Sequence, residues 1–68
     1  MNTNFLSDGD RVRAKVTVYD LPPSKDMKHA DPGDTGVVVH TEPGVWPTVQ
    51  FTKTGTMTCV TPDEVEKI

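Results

Sequence analysis

With 68 residues the chain is long enough for one domain, near the lower size at which an apolar core holds a fold without disulfides or metals. Its formal net charge of -3 weighs against any binding that rests on neutralising phosphates, so nucleic acid is not expected as a partner. A lone Cys59 excludes an internal disulfide framework, and there is neither a basic leader nor an apolar run of roughly 20 residues, so we expect a cytoplasmic protein without membrane insertion.

The chain begins with a polar arm, followed by a strand in which apolar and polar residues alternate. Residues 1–8 are predicted to form a flexible N-terminal arm, and residues 9–68 to form the domain. After the turn at Gly9, apolar and polar residues alternate, with Val12, Ala14, Val16 and Val18 on one side and Arg11, Arg13, Lys15 and Thr17 on the other. This period of two predicts a strand with one face in a core and the other in water.

Residues 20–34 lack both helical and strand periodicity. They contain three of the six prolines of the chain and predict one long, semi-stiff loop. A loop of this length is costly to order, so it is the first place to look for a specific contact and the segment expected to be most mobile.

Four further strands are predicted from β-branched or alternating residues, at 35–40, 45–52, 56–60 and 65–68. Gly36 stands where a strand bends or another backbone passes close. Thr61 and Pro62 are typical of the cap and first position of a helical turn. Together these features predict an all-β fold, a small five-stranded SH3-like barrel with a long first loop and a short terminal helical turn.

Five segments occur in an order that resembles the variable (alpha) subunit of ferredoxin-thioredoxin reductase. They are Gly9-Asp10-Arg11-Val12-Arg13, Val16-Thr17-Val18-Tyr19 before the proline-rich loop, Gly33-Asp34-Thr35-Gly36-Val37-Val38, Pro47-Thr48-Val49-Gln50-Phe51 and Pro62-Asp63-Glu64-Val65-Glu66. The chain is also similar to the small SH3-like subunit of photosystem I and to the carboxy-terminal barrel of the nitrile hydratase β subunit. All of these belong to one group of electron-transport accessory SH3-like barrels.

The resemblance implies a non-catalytic accessory subunit of a photosynthetic electron-transport complex, which packs against and stabilises a larger, cysteine-rich iron-sulfur catalytic partner. The residues agree with this role, because a cluster usually needs four thiolates and a dithiol site needs two. Cys59 alone supplies neither, so we expect no enzyme activity, no cofactor and no catalytic residue, and we interpret Cys59 as a buried strand residue.

Partner binding is assigned to five residues of two kinds. Arg11, Arg13 and Lys15 line one strand face and could steer an acidic surface, although such a face is also typical of plain solvent exposure. Tyr19 and Trp46 lie at strand ends, where they could contact an extended protein segment or equally cap the core of the barrel.

The sequence also offers weaker candidates for a site and for a function. His29, Asp31 and Asp34 with Asp26 match no metal-site spacing, and Ser24, His29 and Asp26 lack an oxyanion turn, so neither a metal site nor a catalytic site is assigned. A free-standing SH3-like module that binds a protein, of the kind a phage or plasmid could encode, is the main alternative function. A pore-type oligomeric reductase shares the opening motif, but Val49-Gln50-Phe51 only loosely echoes its pore sequence.

Overall fold

The computed structural model describes residues 5–19 and 27–68. Within these ranges the chain is all-β, as predicted, and no helix is present. The strands are β1 Arg11–Ala14, β2 Val18–Tyr19, β3 Lys28–Ala30, β4 Thr35–Glu42, β5 Val45–Phe51, β6 Met57–Cys59 and β7 Val65–Lys67.

Five of these strands form an antiparallel sheet in the order β6-β5-β4-β1-β7, and β2 and β3 form a separate two-stranded sheet. The alternation that the sequence predicts is observed in β5, where Val49 and Phe51 are fully buried and Gln50 is exposed. One apolar core results, contributed by Leu6, Val12, Ala14, Val18, Ala30, Val38, Val49, Phe51, Val60 and Val65. The core side of the sheet is therefore mostly apolar, although Thr58 on β6 is also buried.

The hairpin between β4 and β5 forms as predicted. Its turn is completed by Gly44, whose φ of 79° is a conformation that favours glycine. Gly36 lies where the predicted close approach occurs, because a Cβ atom at this position would lie 2.7 Å from the carbonyl oxygen of Gln50. Only glycine lets β4 and β5 pack at this distance without displacement.

The first strand is shorter than predicted, and the expectation that Val16 lies in the core is wrong. β1 ends at Ala14, and Val16 is 46% exposed. The amide of Lys15 donates to the carbonyl of Glu64, while Ala14 exchanges hydrogen bonds with Gly33 and Asp34. These bonds hold the chain at the point where it leaves the main sheet. The alternation in the sequence therefore extends further than the strand itself.

The prediction of one long, semi-stiff loop from residue 20 to residue 34 is wrong for residues 28–30. Lys28–Ala30 forms β3 and pairs with β2, so that His29 and Ala30 are buried. The segment has weak strand propensity, and the burial of Ala30 in the core compensates for this by stabilising β3. Residues 20–26 lie outside the described residues.

The predicted terminal helical turn is also wrong. Residues 61–64 form a single turn in which the amide of Glu64 donates to the carbonyl of Thr61 at 3.0 Å. The Glu64 carboxylate in return accepts from the amide of Thr61 at 2.9 Å. The local signals for a helix start are satisfied in this turn, but β7 begins at Val65 and pairs with β1, so no second helical turn can follow.

Strand pairing does not close a barrel in the described part of the chain. Among the described strands, β6 pairs only with β5 and β7 pairs only with β1, so each is an edge of the five-stranded sheet. Within the arm assigned to residues 1–8, Leu6 is buried in the core and Phe5 packs against it. Residues 1–4 lie outside the described residues.

Candidate functional site

The outer face of the five-stranded sheet is the candidate site. Strand register aligns four side chains across it, since Arg11 faces Val37, Val37 faces Gln50, and Gln50 faces Met57. We call these four residues the outer row. It runs over β1, β4, β5 and β6, and every member is exposed.

The outer face of the sheet combines polar and exposed apolar side chains. Val37 is 37% exposed and Met57 is 57% exposed, and Val39, which lies in a bulge of β4, is 40% exposed. Single exposed apolar residues are normal. Here Val37 and Val39 lie two residues apart on β4, while Gln50 lies between Val37 and Met57 across the strands. Between them, Gln50 donates from its side-chain nitrogen to the carbonyl of Gly55 at 3.2 Å.

The three predicted basic residues have different electrostatic environments. Arg13 is neutralised by Glu66, whose carboxylate lies 2.6 Å from Nη2 of the arginine. The hydrogen bond and the charge of Arg13 lower the pKa of the Glu66 carboxyl. Lys15 lies beside the terminal turn, with Nζ 3.4 Å from the carbonyl oxygen of Pro62. Arg11 makes no ion pair within residues 5–19 and 27–68, so it is the basic residue whose charge is most available to a partner.

The two predicted aromatic residues do not lie together. Tyr19 belongs to the two-stranded sheet, where it pairs with Lys28 and is 50% exposed. Trp46 is half-buried on β5 and meets the ring of Phe5 edge-to-face, with centroids 6.3 Å apart and planes at 73°. Phe5 packs on the core, so Trp46 lies against a residue that itself contacts the core. It is four residues from Gln50 along β5, a distance of roughly 13 Å.

The acidic and histidine residues of the second half of the long segment are used in structural contacts. Asp31 pairs with Lys28 at 2.9 Å, which lowers the pKa of Asp31 and raises that of Lys28. His29 is buried and shares a hydrogen bond between Nδ1 and the hydroxyl of Thr56. No group of three or more potential metal ligands is found among the described residues. Ser24 and Asp26, named with His29 as a weak trio, lie outside the description.

Cys59 lies on β6 and is half-buried, with its sulfur 3.7 Å from the hydroxyl of Thr48 on β5. A single thiol that contacts a threonine hydroxyl is suited to packing and supplies no second sulfur for exchange.

Sequence reasoning identified Arg11 but missed Val37 and Met57 as site residues. Alternation within β4 predicts that Val37 and Val38 lie on opposite faces of the sheet. Only the register between strands shows that Arg11, Val37 and Met57 share one row. No single segment of the sequence carries that information.

Comparison with protein-family models, with curated proteins and with solved structures gives no match. Separately, none of the described residues forms a helix long and apolar enough to cross a membrane.

Proposed function

We propose that this chain is a non-catalytic accessory subunit that binds a larger iron-sulfur protein through the outer row. The proposal joins two independent supports. One is the sequence resemblance to the variable subunit of ferredoxin-thioredoxin reductase, and the other is the partly apolar outer face with a cation at one end. The observation that carries most weight is the alignment of Arg11, Val37 and Met57 in one cross-strand row.

The finer fold assignment, an SH3-like barrel, belongs to the same proposal. It is supported by the strand order β6-β5-β4-β1-β7, in which the last strand pairs with the first. A long first connection that carries a two-stranded ribbon, here β2 and β3, agrees with it as well. In such a fold the core occupies the concave side, and the convex outer face is available to a partner.

Physical chemistry explains how the outer row would bind. Val37 and Met57 lose apolar surface to water on docking, which stabilises the complex in proportion to the area buried. Arg11 provides charge complementarity to an acidic partner surface and an increased association rate. Arg13 contributes less, because its pairing with Glu66 already satisfies its charge.

The test is complex formation with the purified catalytic subunit of a ferredoxin-thioredoxin reductase, measured by calorimetry and light scattering. We expect a one-to-one complex that Arg11→Glu weakens by about tenfold or more, as expected for a residue at the centre of an interface. The matched control is Lys53→Glu, which makes the same charge change at a lysine on the turn after β5 and should change affinity by less than about twofold.

Two results would overturn the proposal. Absence of binding by the wild-type chain would remove the redox partner and favour a free-standing interaction module. Equal weakening by Arg11→Glu and Lys53→Glu would show that net charge, and not the outer row, controls the association.

A further inference from the structure

We propose that the edge of β6 that pairs with no described strand binds the same edge of a second copy of this chain, forming a symmetric dimer. This inference concerns the backbone of β6, whereas the outer-row proposal concerns side chains, and both use the register between β5 and β6. It follows from the direction of the backbone groups, from the residues that flank them and from the small size of the domain.

The pairing with β5 fixes which backbone groups of β6 point outward. The amide of Val60 donates to the carbonyl of Pro47, and the amide of Phe51 donates to the carbonyl of Thr56. In an antiparallel ladder the bonded residues alternate, so Thr56, Thr58 and Val60 bond to β5. The N–H and C=O groups of Met57 and Cys59 consequently face away from β5, and no hydrogen bond joins them to any described residue. We call these four groups the β6 edge.

The β6 edge is complementary to itself. Antiparallel pairing about a two-fold axis at Thr58 places Met57 of one copy opposite Cys59 of the other, and the reverse. Both residues carry outward groups, so this register forms four backbone hydrogen bonds with no group of the edge left over. A register shifted by one residue would oppose Thr58, whose groups are already bonded to β5, and would form none of them.

The sequence around the edge lacks two of the features that commonly prevent such pairing. Residues 55–60 contain no charge and no proline, either of which can protect an exposed edge. The opposite edge of the sheet, β7, differs because it carries Glu66 and Lys67. Pairing would also cover part of Met57, which is 57% exposed. A chain this small has a small core, so a shared sheet would add to its stability.

The first test measures mass and backbone protection at two concentrations. Only three residues pair, so we expect weak association, with monomer at low concentration and dimer near about 1 mM. Amide exchange at Met57 and Cys59 should slow at least tenfold between the two conditions. If the protein remains monomeric at the higher concentration and both amides still exchange fast, the proposal is overturned.

Met57→Lys should abolish the dimer, because it places a charged side chain opposite Cys59 of the other copy at both ends of the paired edge. Its side chain lies on the outer face, so the fold should be retained, which circular dichroism verifies. Since Met57 also belongs to the outer row, Arg11→Glu provides the separating control: it weakens the heteromeric complex and leaves the dimer unchanged. A dimer that survives Met57→Lys would overturn the assignment of the edge.

A cross-link identifies the register directly. Met57→Cys places a thiol opposite the native Cys59 of the other copy, at a Cα separation of about 5.5 Å that permits a disulfide. Oxidation should give a covalent dimer linked through positions 57 and 59, read by mass spectrometry of the peptides. The matched control Val45→Cys, at a similarly exposed strand position (43%), should give no such link. Equal cross-linking of the two variants would contradict the proposed register.

Discussion

Gly36→Ala tests the closest backbone contact in the sheet. A Cβ atom at this position would lie 2.7 Å from the Gln50 carbonyl oxygen, 2.8 Å from Cγ1 of Val49 and 3.2 Å from Cα of Phe51. Two of these three atoms are backbone, so β5 itself must move to accept the methyl group.

The expected loss of stability can be bounded from two opposing effects. Overpacking of a tight site costs about 1–3 kcal/mol. Restricting the unfolded chain by replacing glycine with alanine returns about 0.4–1 kcal/mol. We therefore expect a net destabilisation of roughly 1–2 kcal/mol, which in a domain of this size lowers the Tm by about 4–16 °C.

Thermal unfolding and urea unfolding, followed by circular dichroism, measure this change. The control is Thr35→Ala, a neighbouring substitution on β4 whose side chain is only half-buried, and which should shift the urea midpoint much less. A Gly36→Ala variant that melts at or above the wild-type temperature would refute the steric argument. Such a result would mean that β4 and β5 separate at little cost.

Three further predictions concern the candidate site. Trp46→Ala should lower the Tm because it removes the ring contact with Phe5. If Trp46 also anchors the partner, the substitution should weaken binding by about 2 kcal/mol at low temperature. Unchanged affinity in the destabilised protein would exclude the interface role. Because Arg13 lowers the pKa of Glu66, the stabilising effect of this carboxylate is present at neutral pH and is lost as pH falls through that lowered pKa. The difference in urea midpoint between wild type and Glu66→Gln should therefore shrink on acidification. A difference independent of pH would contradict that pairing. The isolated chain and its Cys59→Ser variant should both lack thiol-disulfide turnover and visible absorbance, and activity that survives the substitution would contradict the non-catalytic role.

Local patterns of the sequence predict the regular parts of this fold well. Alternation at Val49, Gln50 and Phe51 gives the observed burial, since a strand has one core face and one solvent face. The turn at Gly44 is predicted for an equally local reason, a backbone conformation that favours glycine.

The departures have a different origin, because each depends on contacts between distant segments. Val16 continues the alternation of β1, but the chain has already left the sheet through the bond between Lys15 and Glu64. The turn at Thr61 has the signals of a helix start, yet β7 is drawn into pairing with β1 directly afterwards. Short patterns specify a preference, and tertiary pairing decides the outcome.

The candidate site likewise depends partly on local pattern and partly on strand pairing. Arg11 was identified from its own strand, whereas Val37 and Met57 became site residues only when the register placed them beside it. The proposed outer row and the proposed β6 edge share one premise, which is the pairing of β5 with β6. A slip of one residue in that pairing would move Met57 to the core side and reverse every outward group.

Thr48→Cys tests this shared premise with the native cysteine as its partner. Thr48 and Cys59 face each other across β5 and β6, and the threonine hydroxyl already lies 3.7 Å from the cysteine sulfur. The pair is of the non-hydrogen-bonded kind, with a Cα separation of about 4.5 Å that is within the range of disulfides. Oxidation of the dilute protein should therefore form an intramolecular bond and raise the free energy of unfolding by about 2–3 kcal/mol.

The control Gln50→Cys places its thiol on the same face of β5, two residues along the strand. Its diagonal separation from Cys59 is about 7 Å, which is too far for a disulfide without backbone movement. We expect it to remain reduced under conditions in which Thr48→Cys is fully oxidised, as measured by thiol labelling and mass spectrometry. Faster oxidation of Gln50→Cys than of Thr48→Cys would show a different register between β5 and β6. Because Met57 and Cys59 would then point elsewhere, that single result would refute both the outer row and the β6 edge.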